Sequence, residues 1–276
     1  MLVLRTIAEA RRACARVRAE GKTLGLVPTM GALHEGHLSL VQAAQTSCDA
    51  VVVSIFVNPT QFGPKEDFAS YPRTFEQDCQ TLEEAGVDMV FAPTVEEMYP
   101  PGASTIVEVL GLSDRLDGVS RPGHFRGVAT VVTKLFHIFG PDRAFFGQKD
   151  AAQVAVLRKM VRDLVFPVQL EVCPTVREAD GLAMSSRNRK LSEEERRRAL
   201  VLSQALFAVE KGFQDGERDS GKLIGEAQRI LKDVEVEYCR IVDPETLEDI
   251  PDVSRGGLVA VAARVGSTRL IDNLLL

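Results

Sequence analysis

Residues Ala50–Val57 read Ala-Val-Val-Val-Ser-Ile-Phe-Val, with Ser54 as the one polar break. A strand with one wet face alternates polar and apolar residues. A run this uniform belongs to a strand buried on both faces, which in practice means a parallel sheet covered by helices on each side. Shorter runs of the same kind recur at Leu24–Val27, Val87–Phe91, Arg143–Phe146 and Val168–Val172. Between them stand segments of helical period: Thr6–Ala19, with Ile7, Ala10, Cys14 and Val17 along one stripe, then Leu38–Ala44, Phe75–Ala85, Gly127–Phe139 and Ala151 to Leu164. Strands alternating with helices predict an α/β fold built on a doubly wound parallel sheet, its connections right-handed.

The pattern changes near residue 175. Ser192 stands before Glu193–Glu195 as the cap of a highly charged helix, a second helix spans Lys222–Lys232, and three strand-like runs follow at Glu235–Val242, Leu258–Ala263 and Thr268–Ile271. Helices followed by neighbouring strands predict a smaller α+β unit. The expected division is therefore 1–175 for the large domain and 176–276 for the small one. A chain of 276 residues is long enough for a full hydrophobic core in such an arrangement.

Ligands of doubly wound sheets bind beyond the carboxyl ends of the strands. Three polar loops fall at those ends, 28–37, 58–64 and 147–153, and are expected to share one pocket. The first reads Pro28-Thr29-Met30-Gly31-Ala32-Leu33-His34-Glu35-Gly36-His37 and leads from a strand into a helix. A helix start carries unpaired N–H groups and partial positive charge, so it receives phosphate readily, and glycines let backbone approach a bulky ligand. His34 and His37, three apart, are expected on one face. The zinc-protease spacing His-Glu-x-x-His is absent, because Gly36 stands directly between Glu35 and His37. An ordinary capping histidine beside a surface one is the plain alternative. Further along, Lys149 offers a point charge for phosphate and Asp150 a cap, while Met184-Ser185-Ser186-Arg187-Asn188 could grip phosphate with hydroxyls and a guanidinium. A surface lysine beside a routine cap, and a serine-rich connector, remain open for those two. Gln61 and Gln153 suit a substrate carrying hydroxyls and a carboxylate. Asp78 could help hold Mg²⁺ through water, or could be a solvated helix face.

Charge and cysteine content narrow the class. A net charge of -6 gives no electrostatic footing for nucleic acid. Five scattered cysteines without a C-x-x-C fit free thiols in a reducing compartment, and the charged N-terminus lacks the apolar core of a signal peptide, so the expectation is a cytoplasmic protein. No apolar run is long enough to span a bilayer, so no membrane partner is expected.

Taken together the motifs resemble the pantoate–β-alanine ligase family. The matching stretches are Pro28–His37, Phe56-Val57-Asn58-Pro59-Thr60-Gln61-Phe62, Tyr71-Pro72-Arg73-Thr74, Arg121-Pro122-Gly123-His124-Phe125, Phe146-Gly147-Gln148-Lys149-Asp150 and Met184–Asn188, in an order that covers nearly the whole chain. The first and last are variants of signatures found across a wider nucleotidyl-transfer superfamily. Gln148 departs from the glutamate common in the family. The resemblance implies ATP-dependent condensation of pantoate with β-alanine through a pantoyl adenylate, releasing AMP and pyrophosphate, in a cytoplasmic homodimer that uses Mg²⁺. It implies a Rossmann-like first domain, with the second closing over the nucleotide. ATP would contact Met30, Gly31, Ala32, Leu33, His34, Glu35, Gly36 and His37, then Gly147, Gln148, Lys149 and Asp150, then Val176 and Met184, Ser185, Ser186 and Arg187. Pantoate would contact Gln61 and Gln153, with Gln61 also near β-alanine. His37 would be the catalytic acid, assisted by His34 and Lys149. Three rival readings use the same residues. A nucleotidylyltransferase would keep AMP in its product, and a nucleotide sensor would bind ATP without releasing pyrophosphate. A transfer-RNA-charging enzyme is disfavoured by the short, acidic chain.

Overall fold

The computed structural model describes residues 1–64 and 66–276. A short strand β1 (Leu2–Leu4) leads into helix α1 (Ile7–Ala19), which Thr6 and Glu9 close with a reciprocal capping box. Strand β2 (Leu24–Thr29), helix α2 (Glu35–Ser47) and strand β3 (Ala50–Ile55) form the first crossover. Helix α3 (Phe75–Glu84), strand β4 (Met89–Phe91) and two single-turn helices, α4 (Val95–Met98) and α5 (Asp117–Ser120), precede the long helix α6 (His124–Phe139). Strand β5 (Arg143–Gly147), helix α7 (Ala151–Asp163) and strand β6 (Gln169–Cys173) complete the large sheet. The remainder holds helices α8 (Glu193–Ala199), α9 (Val201–Gln214) and α10 (Ser220–Ile230), then strands β7 (Glu235–Val242), β8 (Leu258–Val265) and β9 (Thr268–Leu275).

The six-stranded sheet is parallel throughout and runs β1-β4-β3-β2-β5-β6. From β2 the order proceeds one way through β3 and β4, and the other way through β5 and β6. The reversal lies between β2 and β5, so a crevice opens beyond their carboxyl ends. Burial explains the apolar runs: Val51, Val52 and Val53 are almost inaccessible, because one face of β3 packs on α1 and α6 and the other on α2 and α3. Helix α6 is the sheet's main apolar cover, burying Phe125, Val128, Leu135, Phe136 and Phe139. Strands β7, β8 and β9 form a separate antiparallel sheet against α9 and α10. No helix among the described residues is long and apolar enough to cross a membrane.

Several bounds differ from the pattern of the sequence. Strand β1 has three residues, too few for a periodic signal. The apolar helix α9 follows α8 after Leu200 alone, so the charged run masked where one helix ends and the next begins. Helix α2 starts three residues earlier than its apolar face, at Glu35, with His34 as the cap in extended conformation (φ −145°, ψ 175°).

Candidate active site

The loop after β2 folds around a carboxylate. Gly31 and Ala32 both take left-handed backbone angles, φ 79° and 51°. That turn aims the N–H groups of Ala32 and Leu33 at Asp78, which accepts them at 3.0 and 2.9 Å. Thr74 adds a third bond to the same carboxylate at 3.1 Å. A side chain on Gly31 would stand 2.9 Å from Asp78 Oδ2, so only glycine lets the turn close. Asp78 is 3% exposed and both its oxygens are committed. The magnesium role expected for it gives way to a structural one, because a carboxylate already accepting three hydrogen bonds inside the protein has little left for a hydrated ion. Ala32 and Leu33 are buried in that turn and do not line the cleft.

Beyond the turn, two imidazoles cap helix α2. His34 Nδ1 accepts the Gly36 N–H at 3.2 Å, and His37 Nδ1 accepts the His34 N–H at 3.3 Å. This is a capping box in which histidines replace the usual serine and glutamate. His34 precedes the helix, so the two rings meet through the cap and not along a helix face; their centroids lie 4.1 Å apart. Backbone N–H groups pointed at both Nδ1 atoms leave the ring protons on Nε2. Burial, with Lys149 and Arg189 nearby, pushes the His34 pKa down to about 4, and burial, with His34 beside it, pushes His37 down to about 3. Both rings are neutral N–H donors at neutral pH.

A cleft of about 230 Å³ gathers these groups at the sheet's reversal point. His34 and His37 line it from β2's loop, and Lys149, Asp150 and Gln153 from β5's loop and α7. Asn58 and Gln61 come from the loop after β3, and Val176, Met184, Ser185, Ser186 and Arg187 from the connection after β6. The three loops expected to share a pocket do so. Met30, Gly36 and Gly147 also line it, whereas Gly31, Glu35 and Gln148 stand outside its wall. A bond from the Gly36 N–H to Met184 Sδ at 3.3 Å ties α2's start to the serine loop. Ser185 caps a short turn by accepting from the Arg187 N–H at 3.3 Å. Arg187 and Lys190 both reach Asp67, at 3.3 and 2.8 Å.

The side of the cleft that carries Gln61 is more tightly bonded than a loop glutamine would predict. Gln61 is 8% exposed, with Oε1 accepting from Asn58 and Nε2 donating to Met30 Sδ. Asn58 donates to the Gly127 carbonyl at 3.1 Å and accepts from Tyr99 at 2.9 Å. His124 donates from Nδ1 to the Gln61 carbonyl at 2.8 Å, while Nε2 accepts from Arg121. Burial, then the Arg121 charge, holds His124 near pKa 4. Arg121 is itself gripped by Glu66 at 2.6 and 2.9 Å. Asn58, Arg121 and His124 stood in motif stretches without a role, because the partners that fix them, Tyr99 and Gly127 for Asn58, Glu66 for Arg121 and the Gln61 carbonyl for His124, lie far away in the chain.

A family model described as pantoate-β-alanine ligase matches residues 2–275. A pantothenate synthetase of Acidobacterium capsulatum is 65% identical over 98% of this chain and 95% of its own length. Another, from Thermotoga petrophila, is 57% identical over the whole of both chains. Among solved structures, the pantothenate synthetase of Thermus thermophilus superposes with a TM-score of 0.95 at 48% identity, covering 99% of each chain. The pantoate-β-alanine ligase of Francisella tularensis, described as complexed with β-γ ATP and β-alanine, gives 0.82 at 32% identity over 100% of this chain and 97% of its own.

Proposed function

We propose a residue-level mechanism for a chain that belongs to the pantoate–β-alanine ligase family. The chain is an ATP-using acid–amine ligase that joins pantoate to β-alanine. The observation that carries the assignment of roles is the convergence of His34, His37 and Lys149 on one cleft where the sheet order reverses.

An amine does not displace oxide from a carboxylate, so the carboxylate must first be given a leaving group. In the proposed first step a pantoate carboxylate oxygen attacks the α-phosphorus of ATP, and the bond to pyrophosphate breaks. In the second the amine of β-alanine attacks the acyl carbonyl, AMP leaves with the bonding pair, and the amine loses a proton. Positioning and charge neutralisation dominate such transfers. The neutral Nε2–H groups of His34 and His37 would donate to phosphate oxygens without the cost of burying two more charges. A bound triphosphate would raise both ring pKa values, which lets His37 act as the acid for the departing phosphate. Lys149 and Arg187 would supply permanent charge, with Ser185 and Ser186 donating hydroxyls. For Arg187, that requires the phosphates to replace Asp67 as its partner. Met30, Gly36, Gly147 and Val176 would form the walls around the nucleotide, while Gln61 and Gln153 would bind pantoate, Gln61 facing the β-alanine side too.

Magnesium fits as a companion of the nucleotide. The described residues hold no cluster of three ligating side chains, and Mg²⁺ commonly takes one or two carboxylates plus substrate phosphates. Asp150, at the cleft wall beside Lys149, is the carboxylate available to it. The reading also includes residues 1–175 and 176–276 as two units, the second closing over ATP, in a cytoplasmic homodimer. Free thiols at all five cysteines suit a reducing compartment. Ile106 and Leu110, 58% and 82% exposed, offer apolar surface for self-association.

Pyrophosphate release from ATP tests the sequence of steps, with each substrate omitted in turn. Release with pantoate alone, limited to about one equivalent per site, is the expected result for an adenylate intermediate. Release only when β-alanine is also present would remove that intermediate from the mechanism.

A further inference from the structure

Two neighbouring residues of β9, in the small sheet, bond to the connections that follow β6 and β5 of the large one. Asp272 and Asn273 are 3% and 5% exposed, and as successive strand residues they project to opposite faces. Asp272 takes Arg177 in a paired grip at 2.6 and 3.0 Å, just after Val176 and near the start of the connection that follows β6. Asn273 turns to the other loop, the one that follows β5. Its amide nitrogen donates to the carbonyls of Gln148 and Lys149 at 2.9 and 2.7 Å, and its oxygen accepts from Gln148 Nε2 at 3.0 Å. All three bonds of this side chain go to the two residues that deliver the Lys149 ammonium to the cleft.

From this geometry we infer that Asn273 is a positioning residue for Lys149, fixing the backbone of residues 148 and 149 and so the place of the ammonium against the triphosphate. The inference rests on the role proposed for Lys149. A lysine side chain is long and flexible, and its point charge is only as well placed as the backbone beneath it. Here that backbone is not part of a sheet ladder. It lies in a single turn of 3₁₀ helix between β5 and α7, and the Gln148 and Lys149 carbonyls find their donor on a strand 125 and 124 residues away. Asn is suited to the position because one amide supplies a donor to both carbonyls and an acceptor for the glutamine. Aspartate would turn an oxygen toward two carbonyl oxygens, and alanine would leave both without that donor. The arrangement also gives the second unit a direct part in the chemistry: a shift of β9 moves the lysine. It accounts for Gln148 standing outside the cleft wall, since its side chain faces Asn273.

A double-mutant cycle separates this role from general stabilisation. Asn273→Ala and Lys149→Ala are made singly and together, with kcat and the KM for ATP measured by pyrophosphate release and folding followed by thermal melting. Misplacing a reacting group by an ångström costs up to about 10²-fold, so Asn273→Ala is expected to lower kcat at least tenfold in the natural background and less than twofold when Lys149 is already alanine. Gln148→Ala, which removes only the side-chain arm, is expected to follow the same pattern with a drop of about threefold, and it keeps the test available should Asn273→Ala melt below the assay temperature. Equal factors in both backgrounds, or a kcat within twofold of the natural chain for folded Asn273→Ala, would overturn the inference. Full activity in Lys149→Ala alone would instead overturn the role given to Lys149.

Discussion

Gly127→Ala sets two physical effects of opposite sign against each other. Gly127 lies inside α6, and alanine is the better helix former by about 0.8–1 kcal/mol, so propensity alone predicts a stabler protein. Packing predicts the reverse. A Cβ at Gly127 would lie 2.3 Å from the Thr60 carbonyl oxygen, 2.5 Å from its carbon and 2.6 Å from the Gln61 nitrogen. All three are backbone atoms, so no rotamer relieves the contact, and the loop must withdraw by about 1 Å to restore ordinary separation. Overpacking of that kind costs about 1–3 kcal/mol, and three backbone contacts put it at the upper end. The net loss is then about 2 kcal/mol, which for a chain of this size lowers the Tm by roughly 4–8 °C. The loop that withdraws carries Gln61 and loses register with Asn58, whose amide bonds the Gly127 carbonyl. An ångström at that distance costs kcat/KM for pantoate up to about 10²-fold. Gly225→Ala in α10 is the control, since a Cβ there meets nothing within 4 Å and only the propensity gain remains. Thermal melting and steady-state pyrophosphate release on both variants decide the matter. If Gly127→Ala melts at or above the natural chain with unchanged kcat/KM for pantoate, the described contact between α6 and the loop that carries Thr60 and Gln61 is wrong.

Three further outcomes are expected. His37→Ala should lower kcat by about 10²-fold or more with folding intact, and natural turnover in a folded variant would remove His37 from the chemistry. Asp78→Asn leaves one buried N–H facing an amide nitrogen, so it should cost about 1–3 kcal/mol in urea unfolding while the Mg²⁺ dependence of activity stays unchanged; a shifted magnesium requirement with natural stability would restore Asp78 as a metal residue. Burial keeps His34, His37 and His124 neutral well below the pH near 6.5 at which they titrate in an unfolded chain. As pH falls from 6.5 the unfolded chain takes up protons that the folded one refuses, so stability present above 6.5 drains away toward pH 4. His124 alone accounts for about 3 kcal/mol of that loss, and His124→Gln should reduce the slope of unfolding free energy against pH by about 1.4 kcal/mol per unit. An unchanged slope in that variant would mean His124 is already charged in the folded protein.

How much of this was legible beforehand follows from the range over which each cause acts. Uniform burial writes itself into β3 as consecutive valines, and the reversal between strand and helix into the loops that hold His34, Gln61 and Lys149, so the sheet and its crevice could be read from local pattern. The identity of the chemistry was legible too, through the resemblance that the motif stretches from Pro28–His37 to Met184–Asn188 carry to the ligase family. Pairings between distant residues left no such mark. Nothing near Asp78 in the chain announces that its oxygens face the Ala32 and Leu33 amides, 46 and 45 residues away. The histidine pair left room for a capping histidine beside a surface one, but not for both rings joining the cap and being held neutral by burial. Asn273 looks like any strand asparagine until β9 is set beside the Lys149 loop. Periodicity and motif report what a residue does to its neighbours in sequence, whereas hydrogen-bond partners and proton affinities depend on neighbours in space, which only the folded chain brings together.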